Sequence, residues 1–219
     1  MEQAKELAHW SAQFGVSLSS SQLDLFNIYL RELTAWNKKI NLTSLTHTQE
    51  IVIKHFVDSI ACAHNIRSIP GNSFLDVGSG AGFPGLPLKI VYRDLNLTLL
   101  EPTSKKAAFL LHIIGTLQLN DAKVASETIQ GFAEKKAYTK KFSHIMTRAL
   151  DISSAIQHCI ELLQDGGRLF LYRSKSLAEL EYFNNFRVES EFFYDLPCGY
   201  GKRVLTVLKR SDDVPRGTP

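Results

Sequence analysis

Residues 74–88 read FLDVGSGAGFPGLPL, an apolar run followed by four glycines in eight positions. Two overlapping patterns occupy this stretch. Gly80-x-Gly82-x-x-Gly85 has the spacing of a dinucleotide-binding turn, whereas Asp76-x-Gly78-x-Gly80-x-Gly82 points to another adenosine cofactor. A glycine-rich turn after a strand lets the backbone approach a nucleotide, because each missing Cβ removes a steric block; the helix that follows offers unpaired N–H groups. Register separates the two patterns. In a dinucleotide fold the first glycine follows the strand at once and the third packs inside the helix. Here the strand FLDV ends at Val77, so Gly78 opens the turn and Phe83 occupies the third position counted from it. The Gly80 frame pushes the turn two residues past the strand and sets Pro84, which has no N–H, among the early helix amides. Asp76 adds a charge argument: a carboxylate inside the strand repels a pyrophosphate and suits a cationic ligand. S-adenosyl-L-methionine carries an ammonium and a sulfonium and no phosphate. The methyl-donor frame is therefore preferred, with Asp76, Gly78, Ser79, Gly80 and Gly82 as donor-loop residues and Gly85 as a coincidence of overlapping glycines.

A second acid supports a nucleotide pocket. Glu101 ends the next apolar run, 23 residues after Gly78, where a carboxylate can accept from both ribose hydroxyls. NAD-binding proteins use the same device, so Glu101 does not choose the cofactor. The pocket is expected to continue at the third and fourth strand ends, Glu127-Thr128-Ile129 and Thr147-Arg148-Ala149. Amides near Thr128 and Ile129 are placed to read an adenine edge, and Arg148 lies where open sheets bind ligands.

Around this loop the chain divides in two. Residues 1–67 read as a helical extension: Leu23, Phe26, Leu30, Leu33 and Trp36 recur at helical spacing behind a serine N-cap run, and Thr46-x-x-Gln49 resembles a capping box. Pro70-Gly71 marks the boundary. From 68 to 210, short β runs near 73–77, 97–101, 121–125, 142–146 and 169–173 alternate with helices near 84–92, 103–117, 126–135 and 151–163. That alternation predicts an α/β fold with a parallel sheet covered on both faces. Asp165-Gly166-Gly167 is read as the turn feeding the fifth strand. A helix near 176–186 and a terminal hairpin, VESEFFYDL paired with KRVLTVLKR, complete the domain, and 211–219 reads as a frayed tail.

The 219 residues carry a net charge of +3, which permits a nucleic-acid partner without demanding one. Basic pairs such as Lys105-Lys106, Lys135-Lys136, Lys140-Lys141 and Lys202-Arg203 are scattered, as solvated surface lysines would be. The three cysteines, Cys62, Cys159 and Cys198, are far apart and no Cys/His cluster has metal-ligand spacing, so reduced thiols and no metal are expected. The start lacks a basic-then-apolar leader, and no apolar run approaches the ~20 residues of a membrane span. A cytoplasmic, monomeric protein is expected.

Methyl transfer from a sulfonium is a displacement in which alignment alone supplies roughly 7–11 kcal/mol. No Asn/Asp-Pro-Pro-Tyr type motif follows the fourth strand, which reads MTRALD, and no cysteine nucleophile stands there. A ring nitrogen with a free lone pair, such as guanine N7, needs neither. NLTSL at 41–45, KHFVDS at 54–59, LDVGSGAGFPGLPL at 75–88, LLEPTSKKAAFL at 99–110 and TRA at 147–149 together resemble the RsmG (GidB) family of bacterial methyltransferases, over about residues 20–210. The resemblance implies a class I, Rossmann-like fold with a mostly parallel seven-stranded sheet and a C-terminal antiparallel hairpin. It further implies S-adenosyl-L-methionine as donor and guanine N7 in the decoding-region loop of 16S rRNA, on the small ribosomal subunit, as acceptor. Carried over by position, Gly78 and Phe83 are donor contacts, and Arg148 borders donor and base as the catalytic residue. Lys105 and Lys106 match basic residues of the family. Glu127-Thr128-Ile129 replaces an Arg-Ala-Glu run, which puts any side-chain role there in doubt. His55 and Asp58 share a helix face and are read as shaping the cleft entrance or tying the N-terminal helices to the sheet. Asn37, Lys38 and Asn41 close a helix, as caps or as rRNA contacts. Methylation of a small molecule or protein, and non-catalytic RNA binding, remain the alternatives.

Overall fold

The computed structural model describes residues 2–66, 72–148, 152–177, 182–183 and 186–210. The N-terminal part comprises α1 (Glu2–Gln13), α2 (Ser20–Ile40), α3 (Thr48–Ile51), a π-helical segment (Val52–Val57), α4 (Asp58–Ile60) and a 3₁₀ turn (Ala63–Ile66). Then follow β1 (Ser73–Val77), α5 (Gly85–Val91), β2 (Asn96–Leu100), α6 (Ser104–Thr116), β3 (Ala122–Ala125), α7 (Ile129–Ala133), β4 (Phe142–Arg148), α8 (Ile152–Leu162) and β5 (Leu163–Arg173). The chain ends in β6 (Tyr182–Phe183), β7 (Phe186–Asp195) and β8 (Lys202–Arg210).

The strands form one sheet in the order β3-β2-β1-β4-β5-β8-β7-β6. The first five are parallel, and β8 enters antiparallel between β5 and β7. This is the expected seven-stranded sheet with its terminal hairpin, extended by the two-residue edge strand β6. Side chains alternate across it, as the two-residue period demands. Phe74, Leu97, Met146 and Phe170 enter the core on one face, and Leu75, Leu100, Ile145 and Leu169 the core on the other. The first core is also where α2 packs, through Phe26, Tyr29 and Leu33, so the N-terminal helices share their interior with the sheet.

Three local expectations change. Thr46 does not cap: the N-cap of α3 is His47, with no side-chain cap bond. The capping box lies instead at Ser19, whose hydroxyl accepts from the Gln22 amide while the Gln22 side chain accepts from the Ser19 amide. Asp165-Gly166-Gly167 falls inside β5, where the pairing with β4 shifts register between Phe142 and His144 and Gly166 takes a φ of 71°. The helix expected near 176–186 is replaced at 182–183 and at Phe186 by strand, because Tyr182 and Phe183 pair with Arg187 and Phe186; 178–181 and 184–185 lie outside the described residues, as do Pro70-Gly71, Ala149 and the 211–219 tail. No helix among the described residues is long and apolar enough to cross a membrane.

Candidate active site

The parallel strands β1 and β4 are neighbours, with β2 and β3 running off one side and β5 off the other. Ligands of open α/β sheets bind at this switch point, beyond the carboxyl ends of the strands. Here those ends are Val77 and Arg148, and Thr147 Oγ1 donates to the Val77 carbonyl at 2.9 Å, fastening the two together.

The glycine loop leaves β1 through three positive-φ turns, at Gly78 (71°), Gly80 (58°) and Gly82 (101°). Only glycine adopts such angles without strain. The Gly78 and Ser79 amides donate to the Leu100 carbonyl, the Gly80 amide to Glu101 Oε2 at 2.9 Å, and Tyr29 Oη to the Ala81 carbonyl at 2.5 Å. A cleft of about 300 Å³ opens beside this loop, lined by Gly78, Leu100, Glu101, Pro102, Thr128 and Ile129. Three of the four elements expected to build a nucleoside pocket thus meet there. Glu101 lies just past β2 and spends one acceptor site per oxygen, on the Gly80 and Thr103 amides; a carboxylate has about four such sites, so capacity remains. Thr128 caps α7 through its hydroxyl, which accepts from the Gly131 amide.

Four expected donor residues lie elsewhere. Asp76 is fully enclosed beneath the loop, where Oδ2 accepts from the Gly85 amide at 2.9 Å and Oδ1 has no partner among the described residues. Burial raises its carboxyl to about 7. Asp76 therefore supports the loop from inside rather than walling the cleft. Ser79 is also buried, donating to the Asp76 carbonyl. Gly82 packs against Leu86 and Tyr29, and the Phe83 ring turns inward, stacked on His55 (4.4 Å between centroids) and Tyr29 (5.5 Å). An aromatic ring of that size gains more from the apolar interior than from a wet cleft. Gly85 is no coincidence either: a Cβ there would sit 2.7 Å from Asp76 Oδ2 and 2.9 Å from a Leu99 methyl, so only glycine lets α5 approach the sheet.

On the other side of the switch point lies a larger cleft of about 590 Å³, with Lys54, Arg148, Arg173, Lys175 and Arg203 on its walls. Arg148 is its centre. Its terminal nitrogens donate to the Lys54 carbonyl (3.2 Å), Asp58 Oδ2 (3.3 Å) and His55 Nδ1 (2.9 Å), and its guanidinium lies 5.2 Å from the Phe83 ring centre. Since arginine only donates, His55 Nδ1 must accept. The proton of the neutral ring is then on Nε2, which donates to Thr43 Oγ1 at 2.8 Å. Burial and the Arg148 charge hold His55 down to about 3. Asp58, 3% exposed, also accepts from Tyr194 Oη at 2.9 Å and faces Arg203 Nε at 3.8 Å; burial raises its carboxyl above the ordinary value. His55 and Asp58 thus join the N-terminal helices to the end of β4, as their shared face implied.

Sequence reasoning missed Tyr29, Tyr194, Arg173 and Lys175. The signal for Lys54 was available, since it stands four residues before Asp58 on one helix. Nothing local marks the others, which arrive from distant elements. Lys105 and Lys106 sit in the first turn of α6 and line neither cleft, and Lys135 and Lys140 make surface ion pairs with Glu127 and Asp165. Among the described residues no group of three or more His, Cys, Asp or Glu is placed to hold a metal ion.

A mostly parallel sheet of this order, with an antiparallel C-terminal hairpin, a cleft beside the glycine loop and a cationic cleft across the switch point, defines a Rossmann-like methyltransferase fold. The same fold is seen in TYW2 of P. horikoshii, solved in complex with MeSAdo, at a TM-score of 0.53 and 15% identity over 71% of this chain and 62% of that one. Residues 22–195 match the GidB family, rRNA small subunit methyltransferase G. The chain is 36% identical to ribosomal RNA small subunit methyltransferase G of Roseiflexus castenholzii over 175 residues, covering 80% of this chain and 74% of that one. It is 32% identical to the protein of that name from Listeria monocytogenes over 218 residues, covering 95% and 91%. The chain belongs to this family of rRNA small subunit methyltransferases.

Proposed function

We propose that this protein transfers a methyl group from S-adenosyl-L-methionine to N7 of a guanine in the decoding-region loop of 16S rRNA. One observation carries the choice of acceptor: both candidate bases in the cationic cleft are already engaged. The His55 Nδ1 lone pair is taken by Arg148 and its other nitrogen bears the proton. Asp58 is 3% exposed and ion-paired with Arg148, its second oxygen accepting from Tyr194, so its carboxylate is shut off from an incoming proton. An amine or hydroxyl acceptor must lose a proton to a base. Guanine N7 presents a lone pair and loses none, so it matches a cleft whose bases are occupied.

The donor fits the residues present. Glu101, with acceptor capacity left, lines the smaller cleft together with apolar Pro102 and Ile129, as a ribose and an adenine face require. Bound there, the donor supplies an activated methyl group on a sulfonium. The chain's own residues then position and exclude: the glycine loop brings backbone close to the ligand, and Arg148, held by His55, Asp58 and the Phe83 ring, presents a fixed cation where the base enters. The surrounding cations suit rRNA phosphates.

The test is incubation with labelled S-adenosyl-L-methionine and either 30S subunits or deproteinised 16S rRNA. Label is expected in the decoding-region fragment, at a guanine that becomes a strand-cleavage site after borohydride and aniline. No label with either substrate overturns the proposal, and label without induced cleavage overturns N7 as the acceptor.

A further inference from the structure

We infer that a third cleft, built by the chain leaving α2, binds a single-stranded nucleotide that flanks the target guanine. The inference rests on the rRNA reading above and extends it to a second subsite. The cleft measures about 390 Å³ and is lined by Asn37, Lys38, Asn41, Thr43, Ser44 and Leu45, among others. Ser44 and Leu45 also line the cationic cleft. The two spaces therefore share a wall, as sites for successive nucleotides of one strand would.

The chemistry of the lining selects the ligand class. Asn37 is structural: its Oδ1 accepts from the Thr43 amide at 2.8 Å and its Nδ2 reaches the Leu45 carbonyl, which sets the loop. Asn41, Lys38 and Ser44 have no side-chain partner among the described residues, and all three are exposed. An amide, an ammonium and a hydroxyl, set beside the half-buried, apolar Leu45, complement a base edge, a phosphate and a 2′-hydroxyl next to an apolar face. Asn41 is held in the left-handed region, at a φ of 52°, where the helix ends. Asparagine tolerates that backbone better than most residues, and here it also leaves its amide at the cleft.

The loop is also tied to the reacting side. Thr43 Oγ1 bonds His55, and His55 bonds Arg148. One loop thus borders the flanking subsite and braces the arginine that meets the target base.

Two variants of the full chain test the subsite, with the 30S subunit or 16S rRNA, whichever takes label, as substrate. Asn41→Gly removes the amide and keeps the left-handed turn; Lys38→Gln removes an exposed charge. Each is expected to raise KM for RNA about five- to tenfold, the worth of one polar contact, with kcat and calorimetric affinity for S-adenosyl-L-methionine unchanged. Lys38→Gln is further expected to lower the slope of log KM against log salt by about 0.7, with no change of slope in Asn41→Gly, a distinction that general loosening of the loop does not produce. An unchanged KM in both variants overturns the subsite while leaving the methyl-transfer reading intact. A fall in kcat at unchanged KM also overturns it. A wild-type protein that labels neither RNA overturns both.

Discussion

His55 stacks on Phe83 and Asp76 accepts from the Gly85 amide of the same loop, and the protein shifts their proton affinities in opposite directions. His55 is lowered from 6.5 to about 3, so between those values the unfolded chain binds a proton that the folded protein refuses. Its contribution to stability is present above 6.5 and is lost as pH falls toward 3. Asp76 is raised from 3.8 to about 7, so across that window the folded protein keeps a proton the unfolded chain has released, and its contribution declines as pH rises. In the wild type the two partly cancel. Asp76→Asn removes the second while its amide oxygen can still accept from Gly85. Its stability in urea is expected to rise more steeply from pH 4 to 7 than that of the wild type; parallel profiles would contradict the assignment. At this scale the sequence was a partial guide. It picked out Asp76 as the frame of the loop, but a pattern of residue types cannot say that the carboxylate points beneath the backbone to Gly85.

At the scale of elements, Gln22 joins two helices. Its Oε1 closes the capping box of α2, and its Nε2 donates to the Ile90 and Val91 carbonyls at 3.1 and 3.0 Å, two of the acceptors left open at the end of α5. Ser19→Ala removes the cap alone and is expected to cost about 1 kcal/mol. Gln22→Ala should cost more, because it also strips partners from α5. Urea midpoints at constant m value measure both, and equal losses would show that the α5 bonds contribute nothing. The serine run was legible because capping is local. So were β1 to β5 and their helices, since both faces of a parallel sheet impose apolar runs. The segment after β5 was not: whether 182–183 is helix or strand depends on β7 lying alongside, and no local signal records that.

Over the whole molecule, a net charge of +3 says little, but its arrangement says more. Lys54 comes from the π-helical segment, Arg148 from β4, Arg173 and Lys175 from the end of β5 and beyond, and Arg203 from β8, and all five face one cleft. If three or four neutralise phosphates of single-stranded RNA, log Kd is expected to rise with log salt at a slope of about 2 to 3. The double variant Arg173→Ala, Lys175→Ala should lower that slope by about 1.4 while leaving donor affinity unchanged. Filter binding across a salt series checks it; an unaltered slope would remove these two from the RNA contact.

Short-range chemistry decided the glycine loop, the alternation of strands and helices, and the carboxylate beyond β2. Each depends on neighbours within a few residues: steric freedom at glycine, period-2 burial and a carboxylate's place at a strand end. In residues 74–88 the register of the turn at Gly78 was legible, whereas the charge argument from Asp76 was not: its carboxyl is enclosed beneath the loop, bonded to the Gly85 amide, and does not face the cleft. The cationic cleft depended on the fold. Arg148 stands 93 and 90 positions from His55 and Asp58 in the chain, and the cleft's cations look like ordinary surface charge in the sequence. Only the parallel register of β1 with β4, and the packing of α2 and the π-helical segment against that face of the sheet, bring them together. Once there, the bonds among them settle which nitrogen carries the proton and which groups are free to act.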